Sequence, residues 1–207
     1  MVLFRLLEID PPGLDLAASP PLPPAVRTDL DLGPGGLALT VSNALSGDEC
    51  DALVAASEAV GYSRFAPAIS TPAGMRLNSA CHWFASSATA AAFLDPMYAR
   101  FAHLLPPDLE GGALFPRLSH RVAHYKYDNG GVFNRHTDGQ WPGQSIAADG
   151  AGIDEWPGAV SRLSMMLYLT DGPALAQGGA TRLFKFGPGG APPLVRTTSP
   201  SEILPIY

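Results

Sequence analysis

Lysine is nearly absent from this chain: only Lys126 and Lys185 appear among 13 basic residues, the rest being arginine, against 19 acidic ones. The net charge is −6, and no basic cluster could track a phosphate backbone, so nucleic acid is not an expected partner. Cysteine is equally scarce. Cys50 and Cys81 stand alone, without metal-type spacing, and read as buried free thiols that require no oxidising compartment. Long apolar runs are missing too. Met1 to Leu7 is apolar but broken by Arg5 and followed by Glu8 and Asp10, too short for a signal peptide. Nothing approaches the roughly 18 apolar residues of a membrane span, so no membrane is expected and the cytosol is the default compartment. What the 207 residues do hold is 46% hydrophobic side chains, 22 Gly and 21 Pro. That composition fits a folded domain with many turns and short elements.

Residues 1–36 form a Pro/Gly-rich lead-in, with Pro20-Pro21-Leu22-Pro23-Pro24 and Gly33-Pro34-Gly35-Gly36 arguing for irregular or extended chain. Leu37 to Val41 reads as a first strand. Ser46-Gly47-Asp48-Glu49 is a capping box, in which Ser46 takes the backbone N–H of Glu49 and Glu49 reaches back. The helix it opens carries Cys50, Leu53, Val54 and Val60 along one side and should stop at Gly61. Asp95-Pro96 predicts the start of a second helix, ending before Pro106. From residue 114 the pattern turns strand-like. The expected order is a strand through Tyr125-Lys126-Tyr127, a turn at 128–131, a strand over 132–136, a long loop over 139–158, a buried strand over 161–170 and another over 181–186. Helices first and strands afterwards predict an α+β chain whose β half is a jelly roll.

His136-Thr137-Asp138 is the triplet with chemical content. At an extended strand end, residues i and i+2 project to one face, so an imidazole and a carboxylate can converge on one ion. Two imidazoles and a carboxylate on one face of an octahedron are the usual protein site for non-haem Fe(II). With five His in the chain the triplet alone is weak, and a surface His and Asp in a turn would explain it equally well. Its neighbours add more. Tyr125-Lys126-Tyr127 leads into Asp128-Asn129-Gly130-Gly131, then Phe133 and His136-Thr137-Asp138. Downstream come Leu167-Tyr168-Leu169 and Gly178-Gly179-Ala180-Thr181.

In this order and spacing, residues ~114–186 resemble the prolyl 4-hydroxylase-like family of Fe(II)/2-oxoglutarate-dependent dioxygenases, and Arg76-x-Asn78 looks like that family's helical lead-in. The resemblance implies a double-stranded β-helix (jelly roll) with helices packed outside it, spanning residues 37–207. It implies that His136 and Asp138 are iron ligands and that the Tyr168 hydroxyl binds the distal carboxylate of 2-oxoglutarate. Tyr125 would lie near the keto-acid end and Thr181 would line the cosubstrate pocket. The turn after Tyr125 is about two residues longer than the family's usual one. The implied reaction is hydroxylation of a C–H bond by O2, with 2-oxoglutarate converted to succinate and ascorbate keeping the iron ferrous. The substrate, peptide or small molecule, is not legible. Read from the residues alone, Tyr168 is equally a core aromatic on an apolar strand.

The family pattern also breaks. A distal His as third ligand and an Arg or Lys for the far carboxylate should follow the Gly-Gly-x-Thr strand. No His follows His136, and Arg162, Arg182, Lys185 and Arg196 lie out of context. The expectation is therefore a domain lacking its last strands, inactive by itself. The rival readings are a jelly-roll binding or scaffold protein that has lost the third ligand, and a cupin-like protein holding another metal. His120 and His124, four apart, read as satisfied sheet residues, and His82 and His103 as structural residues in helix or loop. Trp141 and Trp156 either cover a substrate or pin a Gly/Pro-rich loop.

Overall fold

The computed structural model describes residues 8–14, 21–32, 36–64, 72–128, 130–170, 181–184, 194–196 and 203–206. Its strands are β1 (Glu8–Ile9), β2 (Val26–Asp29), β3 (Leu39–Ser42), β4 (Ser79–Phe84), β5 (Asp108–Leu109), β6 (Gly112–Ala113) and β7 (Arg121–Lys126). Then follow β8 (Pro142–Ile146), β9 (Ile153–Val160), β10 (Ser164–Leu167), β11 (Thr181–Leu183), β12 (Leu194–Arg196) and β13 (Ile203–Ile206). The helices are α1 (Gly47–Val60), α2 (Ser87–Thr89) and α3 (Asp95–Phe101). The architecture is mixed, with few helices and mainly antiparallel sheets, none of them closed among the described residues. No helix among the described residues is long and apolar enough to cross a membrane.

The chain divides into two compact units. The first comprises residues 1–16, 52–96 and 117–160. Its sheet runs β1-β4-β7, with β1 parallel to β4 and β4 antiparallel to β7, and a separate β8–β9 hairpin follows. The second comprises residues 17–51, 97–116 and 161–207, with a β10-β13-β3-β2 sheet and the pairs β5–β6 and β11–β12. In that unit Leu30, Ala38 and Leu183 form a buried cluster, against which Leu32, Met166 and Tyr168 pack.

The capping box forms as the sequence predicts. The Ser46 hydroxyl accepts the Glu49 N–H at 3.0 Å and the Glu49 carboxylate accepts the Ser46 N–H at 2.7 Å. Helix α1 buries Cys50, Leu53 and Ala56 and stops at Gly61, whose φ of +86° is the left-handed conformation that ends helices. Cys50 and Cys81 are buried thiols that form no disulfide.

Several expectations need correction. The second helical run begins at Ser87, eight residues before Asp95, because Ser86 caps it by accepting the Thr89 N–H and an Ala-rich stretch favours helix. Pro96 does not open that run. It follows a π-turn over Ala90–Leu94, in which the Asp95 N–H reaches back to the Ala90 carbonyl, and such a widened turn relieves the clash a proline causes inside a helix. Within the lead-in, β2 pairs antiparallel with β3, whose bounds are Leu39–Ser42 rather than 37–41. The expected loop over 139–158 is largely the β8–β9 hairpin. Pro142 is the first residue of β8, a place where its missing N–H is tolerated, and the register shifts between Pro142 and Gln144. Trp156 holds that hairpin together. Its Nε1 donates to the Ser145 hydroxyl at 3.0 Å, and its ring lies so close over Gly143 that a Cβ there would fall 2.5 Å from it. The expected buried strand over 161–170 is the shorter β10, half-buried throughout. The expected connection over 171–179, and part of the strand beyond Phe184, lie outside the described residues.

Candidate functional site

In the first unit the segment carrying His136 is not the strand expected over 132–136. A single bridge, Arg76 to Phe133, replaces a ladder. The turn closes with the Gly131 N–H on the Asp128 carbonyl at 2.7 Å. The chain then runs beside the stretch before β4, with the Leu77 N–H on the Val132 carbonyl at 2.7 Å and the Asn134 N–H on the Met75 carbonyl at 2.8 Å. The Asn134 side chain adds a bond to the Gly74 carbonyl at 3.0 Å. Backbone pairing thus fixes residues 132–134 and leaves 135–140 without regular structure.

His136 and Asp138 hang from that anchored segment and converge. The His136 Nε2 lies 3.2 Å from the Asp138 Oδ1. Two neighbouring ligand atoms of an octahedral ion, each at ~2.1 Å, are about 3 Å apart, so the separation suits one metal ion held by both. The imidazole orientation suits it as well. His136 Nδ1 is 2.7 Å from the Asn134 carbonyl oxygen. A carbonyl can only accept, so Nδ1 carries a proton, and Nε2 is the ring atom turned toward Asp138 that a metal would take. Phe133 stacks on the imidazole at 3.7 Å with planes 12° apart, which restricts its rotation. Both side chains are solvent-accessible, with 35% of His136 and 58% of Asp138 exposed. A protonated His136 paired with Asp138 across the same 3.2 Å is the alternative chemistry of this geometry. Among the described residues no third His, Cys, Asp or Glu joins the two in a group able to hold a metal.

The remaining predicted residues fall into both units. Tyr125, in the first, is 43% exposed and its ring carries the Arg76 guanidinium at 4.8 Å from the centroid. Arg76-x-Asn78 is not helical as expected; Arg76 sits at the isolated bridge and its Nε donates to Asn78 Oδ1 at 2.9 Å. Tyr168 and Thr181, in the second unit, meet through a hydrogen bond between their hydroxyls. Tyr168 follows the end of β10 and packs against the Leu30–Ala38–Leu183 cluster, so its ring serves as a core aromatic while its hydroxyl is held by Thr181.

The histidines divide three ways. His124 is the satisfied sheet residue expected of it: its Nε2 accepts the indole N–H of the fully buried Trp83 at 3.0 Å. His120, just before β7, is buried with neither ring nitrogen hydrogen-bonded among the described residues, its ring edge-on to Trp156. His82 lies within β4, not in helix or loop, and is buried. Burial pushes the imidazoles of His82 and His124 down to about 4, and for His82 the charges of Arg121, Arg76 and His124 act in the same direction. His103 lies in a single exposed 3-10 turn over Ala102–Leu104. The sequence reading missed Arg121, whose guanidinium lies 4.0 Å from the centroid of the Trp141 ring. The period-2 pattern of β7 could have placed Arg121 beside Tyr125, but no local signal marks it.

Compared with known proteins, the chain matches no family model, and neither a curated protein nor a solved structure matches it significantly.

Proposed function

We propose that this chain carries the metal-binding part of an Fe(II)- and 2-oxoglutarate-dependent dioxygenase of the prolyl 4-hydroxylase-like kind, its antiparallel strands belonging to a double-stranded β-helix. The convergence of His136 and Asp138, with the imidazole tautomer set by Asn134, carries the reading. Fe(II) with 2-oxoglutarate and O2 would supply the oxidising chemistry, with ascorbate as reductant. His136 would offer Nε2 and Asp138 a carboxylate oxygen to that ion, while Phe133 keeps the ring plane fixed. Tyr168 would donate its hydroxyl hydrogen bond to the distal carboxylate of 2-oxoglutarate, with Thr181 orienting that hydroxyl and Tyr125 bordering the keto-acid end. A phenol suits the task because it donates one strong hydrogen bond without bringing a competing charge to the metal.

A second reading, an inactive binding or scaffold protein that kept the two residues, draws support from the lack of a third ligand among the described residues. Cosubstrate binding tests the first. With Mn(II) as a redox-inert stand-in, calorimetry should detect 2-oxoglutarate binding that depends on the metal. Tyr168→Phe should weaken that binding by about 1.5–3 kcal/mol, the value of a hydrogen bond to a charged group. Binding no tighter with Mn(II) than without it would remove the dioxygenase reading. Two protein ligands hold a metal loosely, so succinate formation by this chain alone should be negligible. Sustained formation that His136→Ala abolishes would mean another group completes the site.

A further inference from the structure

The β4–β7 register puts a row of unlike side chains on one face of the first unit's sheet. His82 pairs with Ala123, and the neighbouring pairs are Phe84–Arg121 and Ala80–Tyr125, so His82, Arg121 and Tyr125 share a face. The Tyr125 ring meets the His82 ring edge-on at 6.4 Å and carries Arg76, while Arg121 lies over Trp141. The row therefore reads Arg76, Tyr125, His82, Arg121, Trp141, with the small, exposed Ala123 opposite His82 leaving open floor between the larger groups.

Two guanidiniums stand in this row, and neither forms a salt bridge among the described residues. The ion pairs there engage Arg27, Arg100, Lys126, His136 and Arg162 instead. Arg76 uses its Nε on Asn78, its terminal N–H groups make no hydrogen bond among the described residues, and both arginines are half-buried. Partial burial of a guanidinium costs solvation that a carboxylate normally offsets. Aromatic faces recover only part of it. His82, neutral at ordinary pH, adds no third positive charge, and burial lowers the Arg121 pKa as expected of a cation without a carboxylate partner. Two arginine forks braced by rings beside one sheet face, in a chain of net charge −6, offer bidentate donors to an oxyanion brought from outside.

We propose that Arg76 and Arg121, braced by Tyr125 and Trp141 around His82, form an oxyanion-binding site that takes a carboxylate group of the substrate. The assignment of the carboxylate to a substrate rests on the dioxygenase reading; the anion binding itself does not, because it needs no metal.

The test is an NMR titration of the metal-free protein, following the His82 ring with malonate as the carboxylate probe and inorganic phosphate as the alternative oxyanion, against chloride at matched ionic strength. The His124 ring, on the opposite face of the sheet, reports that the fold is intact. The expected result is a saturable shift of His82 and a rise of its pKa with malonate. Arg76→Gln should weaken binding at least tenfold, and Arg121→Lys should weaken it less, since it keeps the charge and loses the fork. Tighter binding of phosphate than malonate would keep the oxyanion site and overturn the carboxylate assignment. A response equal to that of chloride, or unchanged affinity in Arg76→Gln with His124 undisturbed, would overturn the site. Because no metal is added, failure here leaves the dioxygenase reading untouched, and the Mn(II)-dependent binding described above can fail without affecting this result.

Discussion

Around Glu49, in the second unit, polar groups close on one another. Its carboxylate accepts the Ser46 N–H at 2.7 Å and two Arg100 N–H groups at 2.8 and 2.7 Å, and Arg100 continues to the Ala44 carbonyl at 3.0 Å. Around His136, in the first unit, the polar groups lie open to solvent. Asn134 fixes one imidazole nitrogen, Asp138 stands before the other, and both side chains remain exposed. Among the described residues, Arg76 and Arg121 have aromatic support and no carboxylate partner. A structural polar network lowers its energy by internal pairing. A binding site holds its oriented polar groups where an external partner can reach them. The contrast predicts that substitutions at Glu49 act on folding and substitutions at His136 act on binding.

Acid should produce the largest change. His82 and His124 have folded-state pKa values of about 4, below the ~6.5 of an unfolded histidine, because burial disfavours the charged ring. Between about pH 6.5 and 4 the unfolded chain binds protons that the folded chain refuses, so stability is full above this window and falls as pH drops through it. The upper limit is roughly 3 kcal/mol for each histidine. For Glu49, burial pushes the carboxyl up, but the Arg100 and Ser46 hydrogen bonds and the Arg100 charge outweigh it and leave the pKa below its ordinary value. That contribution is present above the unfolded value of ~4.3 and is lost as pH falls through the folded one. Urea midpoints measured from pH 8 to pH 4 should decline mainly below pH 6.5, and a flat profile would contradict the buried neutral histidines.

Glu49→Ala should come next, at about 3–5 kcal/mol, because it strands Arg100 and opens the helix cap together. Ser46→Ala, which removes only the hydroxyl arm of the capping box, should cost about 1 kcal/mol. Chemical denaturation measures both, and equal effects would mean that the Arg100 pair adds nothing to the cap.

The capping box could be read directly because its partners are three residues apart and its geometry is local. Asp95-Pro96 was misleading for the same reason: the local signature of a helix start was present, but Ser86 and the Ala-rich run before it had already begun the helix. Trp141-Pro142-Gly143 and Trp156-Pro157-Gly158 looked like loop because proline and glycine are turn residues in isolation. Only the long-range contact of Trp156 with Gly143 and Ser145 turns them into a hairpin. At the candidate site, the i, i+2 spacing of His136 and Asp138 allowed their side chains to converge, as they do. The Asn134 carbonyl that selects the tautomer was not legible, since it depends on how residues 132–134 dock beside 74–77. Arg121 was invisible for a related reason: its meaning comes from the β4–β7 register that sets it beside His82 and Tyr125.

The smallest expected effect on folding belongs to His136→Ala, whose half-exposed side chain should cost less than about 0.5 kcal/mol. The same substitution decides the central claim. Titration of Mn(II) followed by loss of the free-ion paramagnetic resonance signal should show binding by the native chain, weakened at least tenfold in His136→Ala while the urea midpoint stays in place. Equal Mn(II) affinity in the two proteins would contradict the account and return His136 and Asp138 to an ordinary surface ion pair.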